Sequence, residues 1–64
     1  MKDLGKTIAK YRKEHKLNQS QLAKELENYD IYVKQNSISA WELGTATPNA
    51  RQFLTLCEIL EIYD

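Results

Sequence analysis

The sequence predicts an all-α fold of four to five short helices in one small domain. Apolar residues recur three and four positions apart in four separate segments, and the stretches between these segments are short. Asparagine and glycine stand where helices are expected to begin and end. A chain of 64 residues supports a single domain with a small core, so we expect modest stability.

The first two helices are indicated by amphipathic spacing. The first is predicted over residues 3–15, with lysines between its apolar positions. The second begins in "LNQSQLAKEL", where the Asn18 side chain can accept from the first backbone N–H groups. The inward residues are Leu4, Ile8 and Tyr11 in the first helix and Leu22, Ala23 and Leu26 in the second.

The next segment, "ENYDIYV", does not continue the helical pattern. Its β-branched residues weaken a helix, and a short strand here has no partner strand in the sequence. We predict an ordered connection that anchors Ile31 or Val33 in the core. Tyr29 and Tyr32 are interpreted as a packed rim of this connection rather than an aromatic binding platform.

A third helix is predicted from about Lys34 to Leu43. Ile38 and Trp41 are its inward residues, and Gly44 is placed to end it in the left-handed conformation.

A loop, "TATPN", leads to a fourth helix that starts at Pro48 or Asn49. Its predicted inward residues are Phe53, Leu56, Cys57 and Leu60. At its C-terminal end, Leu60, Ile62 and Tyr63 are expected to form an apolar patch of the kind that a further helix covers. On that basis the 64 residues alone should be marginally stable and monomeric.

Charge is balanced overall but unevenly distributed. Residues 1–16 carry six basic and two acidic side chains, whereas residues 17–64 carry three basic and seven acidic ones. The net charge of residues 1–16 is therefore +4, which is compatible with a solvated helix face or with an anionic partner. No membrane span or signal peptide is predicted, and a single cysteine, Cys57, suits a cytoplasmic protein.

Catalytic chemistry has little support. The sequence offers no metal-ligand cluster, no nucleophile beside a base, no glycine-rich loop and no paired carboxylates. We therefore expect no enzyme activity, no cofactor and no metal, and we interpret Cys57 as a buried, inert thiol.

Four motifs in order carry a family resemblance. "IAKYRKEHKLNQSQLA", "SISAWELG", "TPN" and "FLTLCEIL" resemble the Cro/CI-type (XRE, lambda-repressor-like) helix-turn-helix family over about residues 4–60. The connection between the second and third helices, "ENYDIYVK", is longer than in the family's shortest form and resembles phage-type repressors. The resemblance implies a DNA-binding domain over residues 1–64, either a whole protein or the N-terminal domain of a longer repressor.

The resemblance also implies roles for individual residues. The exposed face of the recognition helix, which would read bases in the major groove, comprises Gln35, Asn36, Ser39 and Ala40. Phosphate contact and positioning fall to Asn18, Gln19, Lys34, Thr45, Thr47 and Arg51. Arg12 and Glu42 are expected to form a structural ion pair. The implied partner is a double-stranded DNA operator bound by a homodimer. If the chain is the N-terminal domain of a longer repressor, the C-terminal region of that repressor would help to form the dimer.

Some alternatives remain open from the sequence. Gln35 and Asn36 can be solvated turn and cap residues, and Asn18 can be a helix cap, a phosphate ligand or both. If the recognition helix begins later than this prediction, so that Gln35 and Asn36 precede it, base readout moves to Ser37, Ser39 and Ala40. A neutral helical bundle can also dock a protein, such as an antirepressor, without touching DNA.

Overall fold

The computed structural model describes residues 3–62, and within this range the chain forms four α-helices and no strand. The helices are α1 (Leu4–Glu14), α2 (Gln19–Glu27), α3 (Gln35–Leu43) and α4 (Ala50–Leu60). The predicted all-α fold is therefore confirmed. A fifth helix does not occur in the described residues.

Two helices start with a reciprocal cap. The Asn18 side chain accepts from the Gln21 backbone N–H at 2.7 Å, and the Gln21 side chain accepts from the Asn18 N–H at 2.8 Å. Asn49 and Gln52 repeat this arrangement at the start of α4. Each of these capping boxes supplies hydrogen-bond acceptors for backbone N–H groups that have no partner within the first helical turn. In α3, by contrast, the N-cap residue Lys34 makes no side-chain cap bond.

All four helices end in the same way. Each is followed by a residue in the left-handed conformation: Lys16, Asp30, Gly44 and Glu61. The N–H of the next residue then donates to the carbonyl five positions back, at 3.0 to 3.2 Å, in Leu17, Ile31, Thr45 and Ile62. These are Schellman-type endings, which stop the helix and turn the chain sharply. Only one of the four uses glycine, as predicted for Gly44.

These endings return apolar side chains to the core. Ile31 and Ile62 are buried, and Leu17 packs against the core from its edge. The expected exposed C-terminal patch is consequently wrong for Leu60 and Ile62, which are 0% and 7% exposed. The left-handed Glu61 folds Ile62 back under α4. Tyr63 lies outside the described residues.

The core lies where the four helices meet. α1 packs mainly on α3, and α2 packs on α3 and α4. The buried side chains are Ile8, Leu22, Ala23, Leu26, Ile31, Ile38, Trp41, Leu56, Leu60 and Ile62. The inward residues predicted for the first three helices belong to this set, except Leu4 and Tyr11, which are partly buried and pack against it. In α4, Phe53 is only half-buried, and Ile59, which the sequence did not single out, packs against the core.

The connection 28–34 is ordered and fixes where α3 begins. Ile31 is buried and Val33 packs against the core, as predicted. The Arg51 guanidinium donates to the Tyr29 carbonyl at 3.3 Å and ties the connection to α4. The prediction of a packed tyrosine rim is wrong, because Tyr29 and Tyr32 are 45% and 74% exposed. Tyr32 alternates with the two inward residues of an extended segment and therefore faces outward.

The left-handed ending of α1 yields a stability prediction. Lys16 is exposed and holds a φ of 59°, which costs a residue with a Cβ roughly 1–2 kcal/mol. We expect Lys16→Gly to raise the free energy of unfolding by about 0.5–1 kcal/mol, since glycine loses more entropy on folding but avoids the strain. Lys10→Gly, with the same charge loss inside α1, should lower it by a similar amount. Urea unfolding followed by circular dichroism measures both. A less stable Lys16→Gly protein would contradict this account.

Candidate nucleic-acid interface

The centre of the site is an ion pair between α1 and α3. The Arg12 Nε atom donates to Glu42 Oε2 at 2.6 Å, and its Nη2 atom donates to Glu42 Oε1 at 3.0 Å. A third donor, Nη1, reaches the Leu17 carbonyl at 2.9 Å. The two side chains are only 11% and 9% exposed. The planar guanidinium thus engages both carboxylate oxygens, which is the strong, two-pronged form of this interaction.

The surroundings of Glu42 favour its charged form. Burial by itself raises the pKa of the Glu42 carboxyl. Hydrogen bonds from Arg12 and Gln19, with the positive charges of Arg12 and Lys13, outweigh that effect, so the pKa lies below its usual range. The hydrogen bond to Glu42 raises the pKa of Arg12 in turn, against the opposing effect of burial. Both groups are therefore charged at neutral pH.

Two glutamines extend this pair to the protein surface. The Gln19 side-chain Nε2 donates to Glu42 Oε1 at 2.9 Å. The Gln35 Nε2 donates to Gln19 Oε1 at 2.6 Å. A continuous hydrogen-bonded chain therefore runs from Arg12 through Glu42 and Gln19 to Gln35, which is the first residue of α3.

The ionised carboxylate determines which way each amide points. A carboxylate only accepts hydrogen bonds, so Gln19 must turn its NH₂ toward Glu42. Its oxygen then faces Gln35, which must offer its own NH₂ in return. Gln35 keeps a second N–H and its Oε1, and the structure gives these no partner within residues 3–62. A donor and an acceptor are thus presented side by side at the start of α3.

The outer face of α3 continues this polar surface. Helix geometry places Ser39 one turn after Gln35 and Ala40 one turn after Asn36. Gln35 and Asn36 are exposed, and Ser39 and Ala40 are partly exposed, while Ile38 and Trp41 face the core. The start of α3 at Gln35 rules out the later start that would have moved the exposed face to Ser37. Leu43 also belongs to this outer face, because it lies one turn after Ser39 and is 76% exposed. It was not among the residues predicted for the face.

The six predicted positioning residues divide into three groups. Asn18 and Gln19 begin α2, and Lys34, exposed, immediately precedes α3. The structure joins these two helix starts through the Gln19–Gln35 hydrogen bond. Thr45 and Thr47 are exposed beyond the opposite end of α3, where the Thr45 hydroxyl donates to the Ala40 carbonyl at 3.3 Å. Arg51 is exposed in the first turn of α4 and held against the connection 28–34.

Side chains with other possible chemistry do not converge on this surface. Cys57 is partly buried rather than buried as expected, and this burial raises the pKa of its thiol, which favours the neutral, unreactive form. The His15 Nδ1 lies 2.9 Å from the Tyr11 carbonyl, and its Nε2 lies 3.6 Å from Glu61. Residues 3–62 contain no cluster of three or more potential metal ligands. None of the described helices has the length and hydropathy needed to cross a membrane.

Two successive helices joined by a short connection, the second of which exposes polar side chains, form the arrangement of the helix-turn-helix class, and α2 and α3 match it. The family model described as a helix-turn-helix domain matches residues 5–63, so the chain belongs to the helix-turn-helix domain family. This membership indicates DNA binding and a role in transcription regulation. The chain matches none of the curated proteins and none of the solved structures with which it was compared.

Proposed function

We propose that this protein binds double-stranded DNA sequence-specifically through α3 in the major groove and acts as a transcriptional repressor or regulator of phage or mobile-element type. The observation that supports this best is the hydrogen-bonded chain from Arg12 to Gln35. A glutamine side chain that only contacts water gains nothing from being held in one orientation by this chain of hydrogen bonds. In this proposal the protein is a DNA-binding module and not an enzyme.

The free edge of Gln35 matches adenine. Adenine presents the N6 donor and the N7 acceptor together in the major groove, and a glutamine amide can bond to both at once. The hydrogen bond to Gln19 leaves Gln35 one N–H for N7 and Oε1 for N6. Asn36, the next exposed residue, offers the same pair of groups. Ser39 extends the polar edge, and the methyl group of Ala40 suits contact with a thymine methyl.

Contacts to the phosphates come from the helix starts and their flanks. Positive charge comes from Lys34, the last residue of the connection 28–34, and from Arg51, which contacts this connection from α4. Asn18, Gln19, Thr45 and Thr47 supply neutral donors, which position a protein on DNA without adding charge. With so few full charges, one copy should bind weakly, and we propose that two copies occupy a palindromic operator.

Binding-site selection from a random DNA pool tests this proposal. We expect enrichment of one motif with adenines in each half-site, and affinity that falls as salt rises. A pool that yields no motif, or binding that does not depend on salt, would count against the proposal.

Lys34 should contribute affinity without sequence preference. Lys34→Ala should weaken binding to all sequences by a similar factor and lower the salt slope by about one. Lys24→Ala removes the same charge from the last turn of α2, away from both helix starts, and should leave the slope unchanged. Fluorescence anisotropy over a range of salt concentrations measures both. Equal slopes for the parent and Lys34→Ala would remove Lys34 from the interface.

A protein-docking function is favoured by one separate observation. Tyr29 and Leu54, which are 45% and 67% exposed, line a shallow groove with Thr55 and Glu58. Double substitution of Tyr29 and Leu54 by serine should leave DNA binding intact if α3 is the functional surface. Loss of a specific protein partner with unchanged DNA affinity would support docking as a second function.

A further inference from the structure

Gly5 marks the closest approach of α1 to the end of α3. A Cβ atom built on Gly5 would lie 2.5 Å from the Trp41 carbonyl oxygen and 2.5 Å from that of Glu42. It would also lie 2.9 Å from the Glu42 carbonyl carbon. Cβ atoms essentially never come within 3.0 Å of such neighbours. These three atoms belong to the backbone, so a side-chain rotation cannot relieve the clash.

Backbone conformation does not explain a glycine at this position. Gly5 lies inside α1, and the only described glycine with positive φ is Gly44. Gly5 is the second residue of this helix, and alanine is generally a better helix former than glycine. The feature that demands glycine is therefore the space between the two backbones.

The contact falls on the part of α3 that determines its placement. Trp41 anchors α3 in the core, and Glu42 holds the ion pair. Arg12 follows Gly5 by seven residues, two helical turns, and so lies on the same face of α1. α1 thus holds the end of α3 at two points, by side-chain hydrogen bonds at Arg12 and by backbone contact at Gly5. A methyl group at position 5 must displace the end of α3 by about half an ångström or more, which would also disturb the bonds from Arg12.

We infer that Gly5 is a positioning residue for base recognition: the absence of a side chain lets α1 seat α3 so that its amides reach the bases. This inference rests on the proposed function of α3. Gly5 contacts the end of α3 opposite to Gln35 and Asn36, and its effect is transmitted through the rigid helix.

The test compares Gly5→Ala with the parent on the selected operator and on random DNA. If Gly5→Ala only reduces the fraction of folded protein, the affinities for the operator and for random DNA fall by the same factor. The ratio of the two affinities is then unchanged. A displaced α3 lowers the ratio, by about fivefold or more if one bidentate base contact is lost. Leu60→Ala serves as a control, because it opens a cavity under α4, whereas α3 packs mainly on α1 and α2. It should lower stability and leave the ratio intact. Sucrose in every sample favours the folded state of both variants.

Amide chemical shifts of the DNA-free proteins give a second readout that does not depend on DNA binding. In Gly5→Ala we expect changes along the whole of α3, including Gln35 and Asn36. If the parent selects no DNA motif, the proposed function fails, while these shifts still test the placement of α3. An unchanged affinity ratio, shift changes confined to the neighbourhood of Gly5, or failure to fold even in sucrose would overturn the positioning role.

Discussion

Glu42→Ala should lower the free energy of unfolding by about 3–5 kcal/mol, the usual cost of removing one partner from a buried ion pair. The substitution leaves the Arg12 guanidinium, 11% exposed, without its carboxylate, and it removes the acceptor that orients Gln19. A domain of this size has a total stability of about 3–10 kcal/mol. A loss of about 3–5 kcal/mol therefore unfolds a domain at the lower end of this range and removes about a third to a half of the stability at its upper end.

Urea unfolding monitored by circular dichroism and by the fluorescence of buried Trp41 measures this loss. Glu58→Ala, at an exposed glutamate of α4, is the matched control and should change stability by less than about 0.5 kcal/mol. Replacing both partners together, Arg12→Met with Glu42→Leu, should cost less than Glu42→Ala alone, because no charge is then left unpaired. A Glu42→Ala protein as stable as its parent would mean that the ion pair does not hold α1 to α3.

The same ion pair makes stability depend on acid in a definite direction. Since the pKa of Glu42 is lowered on folding, its stabilising contribution is complete above the usual glutamate range. This contribution decreases as the pH falls below about 5, and it is lost once the pH is below the lowered pKa of Glu42 in the folded protein. Glu42→Gln removes the titrating group, so the difference in stability between parent and variant should shrink on acidification.

The fold is readable from sequence where local chemistry determines structure. Asn18, Asn49 and Gly44 mark helix boundaries because side-chain caps and left-handed glycine depend only on nearby residues. The left-handed conformations of Lys16 and Glu61 had no such signal, since lysine and glutamate adopt them only under the constraint of tertiary packing. This is why burial of Ile62 was missed.

The candidate site shows the same division. Family resemblance implied the Arg12–Glu42 pair and the exposed amides of α3, and the structure contains both features. The bond between Gln19 and Gln35 depends on how two helices cross, and neither residue's local pattern predicts it. The backbone contact at Gly5 is less visible still, because a glycine within a helix looks merely unfavourable in sequence.

Base preference should change when the braced amide is removed. Gln35→Ala and Asn36→Ala should each weaken binding to the best operator by about 1–3 kcal/mol and relax the preference at one base pair per half-site. Affinity for random DNA should hardly change, because neutral amides release no counterions from the phosphates. Gln19→Ala should relax the same base pair as Gln35→Ala, since Gln35 then loses the bond that orients its amide.

The pattern of base preferences separates readout from positioning. If Gln19 only contacts phosphate, Gln19→Ala should weaken all sequences equally and leave the selected motif intact. If Gln19 orients Gln35, the double variant Gln19→Ala with Gln35→Ala should be no less selective than Gln35→Ala alone. Either substitution already abolishes the same base contact, so the second adds nothing. Binding-site selection on each variant distinguishes these results. An unchanged motif for both Gln35→Ala and Asn36→Ala would show that α3 does not read bases with its amides, even if the protein still binds DNA.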